Sequence, residues 1–171
     1  MFVRTLTLAS ILVLITSLSP AALAQTAGIL PGLGIGTYRI GEDANPIVTT
    51  LGPLHSEDDL AGGSYRGYFW PLKRIGVIVN TQTKKIAALA LSLDDTMQME
   101  KGIAVGTEMD QIRTAYGKEE SVDSHEDDDT LVYNNLGVAF VVDKSGALGG
   151  RISVIFVFRQ GDYNHIFQSA H

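Results

Sequence analysis

The chain of 171 residues contains no cysteine. Disulfide bonds, thiolate metal sites and thiol nucleophiles are therefore excluded, and the folded chain depends on packing and hydrogen bonds for its stability. An exported protein anchored by a lipid on a cysteine is excluded for the same reason. Among oxidising compartments, this composition favours a bacterial periplasm or exterior.

Basic residues are also scarce. Lysine and arginine number 13 against 19 aspartates and glutamates, so the formal net charge is −6. The acidic residues cluster at residues 57–59 and 119–129, and no basic stripe runs along the chain. Because binding to a phosphate backbone requires a cationic surface, we expect no nucleic-acid partner.

The chain carries no recognisable catalytic or cofactor motif. Around Ser64, the second glycine of a serine-hydrolase nucleophile elbow is missing, since Arg66 stands in its place. The glycines between residues 32 and 36 lead into an extended-looking stretch, whereas a phosphate-binding loop would open a helix. We expect a protein that is not an enzyme and needs no cofactor. A hydrolase with an unrecognised site is the alternative.

The N-terminal residues have the organisation of a signal peptide. Arg4 gives a basic start, an apolar run covers residues 6–18, and Ala22 and Ala24 form a small-residue cleavage site. The apolar run is too short, and too interrupted by serine and threonine, for a membrane-spanning helix of about 20 residues. We expect cleavage after Ala24 and a periplasmic or secreted bacterial protein without membrane insertion.

Two parts of the sequence resemble each other, which indicates an internal repeat. Residues 40–52 share their spacing of glycine and apolar residues with residues 105–117, as residues 75–79 do with residues 136–140. The chain is divided accordingly into a signal peptide (1–24), a flexible N-terminus (25–35), repeat unit 1 (36–97), repeat unit 2 (98–159) and a C-terminal tail (160–171).

Each unit is predicted to form one helix followed by three strands. Met109, Ile112 and Tyr116 fall at helical intervals, while apolar residues alternate over residues 75–79 and 152–158 as in strands. Turn residues between the strands favour antiparallel pairing. The expected fold class is α+β: two tandem helix plus three-strand units form a largely antiparallel curved sheet, with both helices on one face and the other face open.

Residues 105–117 and 131–140 show a glycine before a helix, a tyrosine and glycine after it, and then hairpin strands. This pattern resembles the superfamily that includes the β-lactamase inhibitor proteins and the BamE-type outer-membrane assembly lipoproteins. The resemblance implies tandem α+β repeats and a binder that presents its sheet or loops to another protein. The chain lacks the disulfides of the inhibitors and the acylated cysteine of the lipoproteins, so no binding residue is carried over.

An aromatic and basic group lies between residues 65 and 74. Such side chains dominate the binding energy of protein interfaces, although alternation along a strand sends part of the group into the core. Six residues are predicted to contact a partner: Tyr65, Arg66, Tyr68, Trp70, Lys73 and Arg74. The expected function is an exported, non-enzymatic protein-binding module of the enzyme-inhibitor or envelope-assembly-helper type. Its partner would be another exported or envelope protein.

The acidic residues suggest a second function. Asp123, His125, Asp127 and Asp129 alternate along the chain and offer carboxylate and imidazole ligands, and His55 precedes a similar acidic run. Their spacing matches neither a calcium loop nor a zinc-binding helix, so we expect solvated loops without a bound metal. The alternative function is a periplasmic small-ligand or divalent-cation binding protein that uses these loops.

Overall fold

Strands dominate the chain. The computed structural model describes residues 28–53, 56–94 and 96–168. Three short strands come first: β1 (Ile29–Leu30), β2 (Gly34–Ile35) and β3 (Tyr38–Arg39). Eight further strands follow: β4 (Ser56–Leu60), β5 (Tyr65–Trp70), β6 (Ile75–Asn80), β7 (Ile86–Ser92), β8 (Ser121–Ser124), β9 (Asp128–Tyr133), β10 (Val138–Asp143) and β11 (Ile152–Phe158). The α-helices are α1 (Asn45–Leu51), α2 (Met109–Tyr116) and α3 (Tyr163–Phe167).

The eight longer strands form one antiparallel sheet in the order β4-β5-β6-β7-β11-β10-β9-β8. Two consecutive meanders, β4 to β7 and β8 to β11, meet at its centre. There β7 pairs with β11, with Leu89 opposite Val157 and Leu91 opposite Ile155. The edges of this sheet are β4 and β8, while β1, β2 and β3 form a separate three-stranded sheet.

The first face of the large sheet carries the main core. Leu91, Ile155 and Phe140 follow one another across β7, β11 and β10. The helices α1 and α2 pack on this face through Ile47 and Ile112. All five side chains are at most 3% exposed. Burying a side chain of this size contributes about 1.5–3 kcal/mol, so this core positions both helices.

A second, smaller core lies on the opposite face and is covered by α3. Tyr163 and Ile166 of α3 pack with Phe158, Ala139 and Val132. Residues 160–171 are predicted to be a C-terminal tail, but apolar side chains at helical spacing in its first part form a packed helix. The second face is therefore partly covered.

The predicted fold class is wrong. The described part of the chain is mostly β, with an eight-stranded and a three-stranded sheet and three short α-helices, of which α3 lies on the face predicted to be open. The strands predicted at residues 75–79 and 152–158 are confirmed, but β4 and β8 are missing from the prediction. These edge strands are mostly exposed and hydrogen-bonded on one side only. Their sequences therefore lack the apolar alternation of a half-buried strand.

The N-terminal part of the description is tied to the core. Ile29 and Ile35, from the segment expected to be flexible, are buried in the main core. The N–H groups of Ile29 and Gly32 donate to the carbonyl oxygens of Gln98 and Gly137 at 3.1 and 3.2 Å. These contacts attach the small sheet to the loop after β7 and to the turn between β9 and β10.

The predicted signal peptide, with its cleavage site after Ala24, lies outside the described residues, as do residues 169–171 of the predicted tail. The internal repeat and its boundaries stay predictions. In the structure, α1 precedes the first meander and α2 precedes the second. Of the helices within the described ranges, none is both long and apolar enough to cross a membrane.

An ion pair attaches α2 to the chain that follows it. Arg113 donates to the Glu119 carboxylate through Nε and Nη2 at 3.0 and 2.8 Å, and the Glu119 side chain is 6% exposed. The hydrogen bonds from Arg113 lower the pKa of Glu119, although burial acts in the opposite direction. The hydrogen bond to Glu119 in turn raises the pKa of Arg113.

Replacing Gly137 by alanine should destabilise the protein more than the same change at Gly102. Both glycines have positive φ, +73° and +75°, so both variants carry the left-handed strain of about 1–2 kcal/mol. A Cβ at Gly137 would lie 2.4 Å from the Phe158 carbonyl oxygen, whereas nothing lies within 4 Å at Gly102. We expect G137A to lose about 2 kcal/mol more unfolding free energy than G102A, measured by urea unfolding. Equal losses would contradict the close backbone packing at Gly137.

Replacing Glu119 by glutamine should remove a pH-dependent part of the stability. A carboxyl group with a lowered folded pKa stabilises the fold above its unfolded pKa of about 4.3, and this contribution disappears as the pH falls through the folded pKa. We expect E119Q to lose about 1–2 kcal/mol of unfolding free energy near neutral pH. Urea unfolding between about pH 6 and pH 3 should show a smaller loss on acidification for E119Q than for wild type.

The matched control is Glu100→Gln, at an exposed position. This variant should stay within about 0.5 kcal/mol of wild type and keep the wild-type pH dependence. If E119Q also keeps the wild-type pH dependence, the ionisation of Glu119 is not the source of the pH-dependent stability.

Candidate binding surface

The predicted partner-binding group is divided between the two faces of the sheet. β5 alternates, so Tyr68 and Trp70 pack with the main core on the first face, while Tyr65 packs with the smaller core on the second. Arg66 shares the first face with Tyr68, and Phe69 lies on the second face beside Gly76. The six residues therefore do not form one surface.

Trp70 is a core residue. Its side chain is buried, and its Nε1 donates a hydrogen bond to the Gly52 carbonyl oxygen at 3.1 Å. The Tyr68 ring lies 6.4 Å from the Trp70 ring, centroid to centroid. Trp70 thus connects β5 to the residue that ends α1, and its ring belongs to the core.

Arg66 is bound to the edge strand β4. Its Nη1 lies 2.8 Å from Glu57 Oε1 and its Nε lies 2.9 Å from Asp59 Oδ1. The hydrogen bond to Asp59, followed by the charges of Asp59 and Glu57, raises the pKa of Arg66. The acidic run of the first half therefore serves as the partner of Arg66 within the sheet.

Lys73 and Arg74 lie at the turn between β5 and β6. The turn begins with one 3-10 segment, Pro71–Lys73, and Arg74 follows it with a φ of 58°. Arg74 Nη1 donates to the Leu93 carbonyl oxygen at 2.5 Å. Hydrogen bonds from Thr96, assisted by the charge of Arg74, lower the pKa of the neighbouring Asp94. Both basic side chains are exposed, so they form a positive rim at this end of the sheet.

An apolar depression of about 180 Å³ lies beside this turn on the second face. Its apolar lining includes Phe69, Pro71, Ala90, Val154 and Phe156, and we refer to these five residues together with Leu72 as the apolar shelf. Gly76 forms its floor. A Cβ at Gly76 would lie 2.9 Å from the Phe69 ring, so the glycine allows that ring to lie flat on the sheet.

Leu72 protrudes from the same turn and is 99% exposed. The opposite boundary of the shelf is α3, where the rings of Phe156 and Phe167 are 5.0 Å apart. The shelf therefore combines a protruding leucine, an apolar depression and a basic rim.

Phe69 belongs to the aromatic group between residues 65 and 74, but the six predicted partner-contact residues do not include it, and they do not include Leu72 or Phe156. Two signals pointed to them: the apolar dipeptide Pro71-Leu72 stands between two strands, and β11 is apolar on both of its faces. Neither signal shows from the sequence alone that the residues lie together.

The acidic candidates of the second half are also separated. Asp123 pairs with Thr130 and Ser124 pairs with Asp129, so Asp123 and Asp129 point to opposite faces of the sheet. Tyr163 donates to Asp123 at 2.9 Å. Lys144 lies 3.2 Å from Asp129, whose pKa is lowered by hydrogen bonds from Ser124 and then Lys144.

The register prevents Asp123 and Asp129 from sharing one ion. His125 and Asp127 follow β8 at exposed positions. No group of three potential metal ligands is found within residues 28–53, 56–94 and 96–168. His55 lies outside the described residues.

No protein-family model matches the chain, and no curated protein matches it. One similar solved structure is an extracellular protein containing an SCP domain from Bacillus anthracis str. Ames. The identity is 6%, the TM-score is 0.45, and the match covers 71% of this chain and 44% of that protein. Another is a cysteine-rich secretory protein from Staphylococcus aureus subsp. aureus Mu50. Here the identity is 14%, the TM-score is 0.44, and the match covers 79% of this chain and 49% of that protein.

The chain spans less than half the length of either protein. The resemblance to β-lactamase inhibitor proteins and BamE-type lipoproteins is wrong, since the described part of the chain is mostly β and does not consist of two helix plus three-strand units. The motifs behind that resemblance were glycines and apolar residues, which many antiparallel folds share. Likeness at this level assigns no activity and no partner to the chain.

Truncation should destabilise the protein strongly at Trp70 and hardly at all at Leu72. Trp70→Ala removes a buried ring and its hydrogen bond to Gly52, so we expect a loss of about 3–5 kcal/mol of unfolding free energy. Leu72→Ala removes a side chain that is 99% exposed and should change the unfolding free energy by less than about 0.5 kcal/mol. Urea unfolding followed by far-UV circular dichroism measures both. A small loss for W70A or a large loss for L72A would contradict the placement of these residues.

Proposed function

We propose that the protein is an exported, non-enzymatic binding module that docks another exported or envelope protein on the apolar shelf. The observation that carries this proposal is Leu72, which is 99% exposed next to an apolar depression of about 180 Å³. A partner that covers both the exposed leucine and the apolar depression removes apolar surface from water, and this burial favours binding.

The geometry of the shelf suits a protein partner. The depression lies between half-buried Phe69, Val154 and Phe156, so it has room for an apolar side chain of the partner. Leu72 would in turn enter a pocket on the partner's surface. Interfaces of this kind concentrate their energy in a few buried anchors surrounded by a polar rim.

The basic rim favours a partner surface with acidic residues. Lys73 and Arg74 are exposed on the turn that carries Leu72, although the chain as a whole has a formal net charge of −6. Acidic residues on the partner would therefore lie next to its apolar anchor. Exposed pairs of this type contribute mainly to association rate and orientation, and salt weakens them.

Two parts of the proposal, export and a non-enzymatic role, rest on the sequence. The basic start, apolar run and Ala24 site support secretion to the periplasm or exterior. The lack of a catalytic motif supports a binder over an enzyme. Inhibition of an exported enzyme and assistance in envelope assembly both require a docking surface of the kind the shelf provides.

Photo-crosslinking in cells tests the proposal directly. A photoreactive amino acid replaces Leu72 in the full-length chain, and crosslinked products are identified by mass spectrometry. The matched control places the same amino acid at Leu33. This leucine is also exposed and lies in the turn between β1 and β2, next to Gly32. We expect position 72 to yield one defined exported protein that position 33 does not yield.

A second arm measures affinity with the identified partner. Leu72→Glu should weaken binding by about 2 kcal/mol or more, as expected for a central apolar anchor, while Leu33→Glu should leave it unchanged. Lys73→Glu should slow association and reduce its dependence on salt. Equal crosslinking at positions 72 and 33, or unchanged affinity of L72E, would overturn the proposed surface.

A further inference from the structure

A pocket whose lining mixes aromatic rings with a carboxylate lies on the second face, beyond the shelf. Its volume is about 620 Å³, within the range of small-molecule sites. β8, β9, β11, α3 and the residues after β8 and α3 contribute its lining. The lining residues are Asp123, His125, Thr130, Phe156, Tyr163, Phe167 and Gln168.

Three aromatic rings in this pocket pack against one another. The Phe156 and Phe167 centroids are 5.0 Å apart with an interplanar angle of 62°. The Tyr163 and Phe167 centroids are 4.9 Å apart with an angle of 33°. The faces of aromatic rings carry negative electrostatic potential and attract cations. The ring packing fixes these groups in the pocket wall before any ligand binds.

Asp123 adds a formal negative charge to the same wall. Its Oδ2 accepts a hydrogen bond from the Tyr163 hydroxyl at 2.9 Å, and Gln168 Nε2 lies 3.3 Å from the same oxygen. Both donors are neutral groups. Burial, followed by the hydrogen bond to Asp123, raises the pKa of Tyr163, so the hydroxyl remains a donor at neutral pH.

The charge of Asp123 has no basic partner within the described ranges. The ion pairs found there involve other carboxylates: Glu57, Asp59, Glu108, Glu119 and Asp129. A carboxylate has about four lone-pair positions, so two neutral donors leave it able to receive a cation.

We infer that this pocket binds a small organic ammonium ion, with Asp123 as its counter-ion and the rings of Phe156, Tyr163 and Phe167 as its apolar wall. A metal ion would need several oxygen ligands, whereas Asp123 is the one carboxylate in the described lining. A neutral apolar ligand would leave the Asp123 charge uncompensated. A methylated ammonium satisfies both features because it spreads its charge over apolar methyl groups.

Calorimetric titration of the full chain with choline tests this inference. The matched ligand is 3,3-dimethylbutan-1-ol, which has the shape of choline without its charge. We expect choline to bind at least about tenfold more tightly than the neutral alcohol, since an ammonium held by a carboxylate and aromatic rings gains 1.4 kcal/mol or more, which is roughly tenfold in affinity. Equal affinities, or no detectable binding of choline, would overturn the inference.

Two aspartate variants locate the site. Asp123→Asn keeps an oxygen acceptor for Tyr163 and removes the charge, so choline binding should weaken by about tenfold. Asp127→Asn makes the same charge change at an exposed residue outside the lining and should weaken binding by less than about threefold. Equal effects of D123N and D127N would overturn the assignment to this pocket.

A ring variant provides an independent readout. Phe167→Leu keeps an apolar side chain but loses the aromatic face, so it should weaken choline binding by about threefold to fivefold and leave binding of the neutral alcohol unchanged. Circular dichroism confirms that each variant is folded. Phosphatidylcholine vesicles are a separate titrant: where choline binds, vesicle binding that depends on Asp123 identifies a lipid headgroup as the source of the ammonium ion, and its absence identifies a free ammonium ion.

Discussion

The pairing of β7 with β11 is the interaction on which the architecture depends. Without it, β7 and β11 would be edge strands of two separate meanders, and their backbone N–H and C=O groups on that side would lack strand partners. Leu89 opposite Val157 and Leu91 opposite Ile155 place buried apolar side chains on both sides of this junction. The resulting eight-stranded sheet is wide enough to carry one core on each face. The helices α1 and α2 cover the first face, and α3 covers part of the second.

The two binding features follow from the shortness of α3. This helix spans Tyr163–Phe167 and buries only the part of the second face around Phe158. On one side of it, the apolar shelf stays accessible, and on the other side the pocket that contains Asp123 opens. Phe156 lines both features because it lies on β11 between them. One strand at the centre of the sheet thus shapes both sites.

Acidic residues of the chain act mainly within the fold. Glu57 and Asp59 on the edge strand β4 hold Arg66, and this charged edge discourages pairing with a strand of another molecule. Glu119 forms an ion pair with Arg113 and so attaches α2 to the segment between α2 and β8. Asp123 differs from these residues because its hydrogen-bond donors are neutral. An acidic cluster in the sequence therefore contains residues with different structural roles.

The central strands β6 and β11 could be predicted from the sequence, because a buried strand requires apolar residues at alternate positions and leaves that record in the chain. The same rule fails for β4 and β8. Exposed edge strands need hydrogen bonds along one side and no apolar alternation, so residues 57–59 resemble a loop in the sequence. The fold class was wrong partly for this reason, and also because α3 lies in the segment that was predicted to be a C-terminal tail.

The sequence by itself determined the absence of disulfides and thiol chemistry, the negative net charge, the predicted export signal and the positions of the central strands. These properties depend on residue identity or on local periodicity. Only the tertiary structure decided that Trp70 belongs to the core and that Leu72 protrudes. It also brought Asp123 to Tyr163 across 40 positions of the chain. Such placements depend on strand order and register, which arise from contacts between residues distant in sequence, and local periodicity carries no information about them.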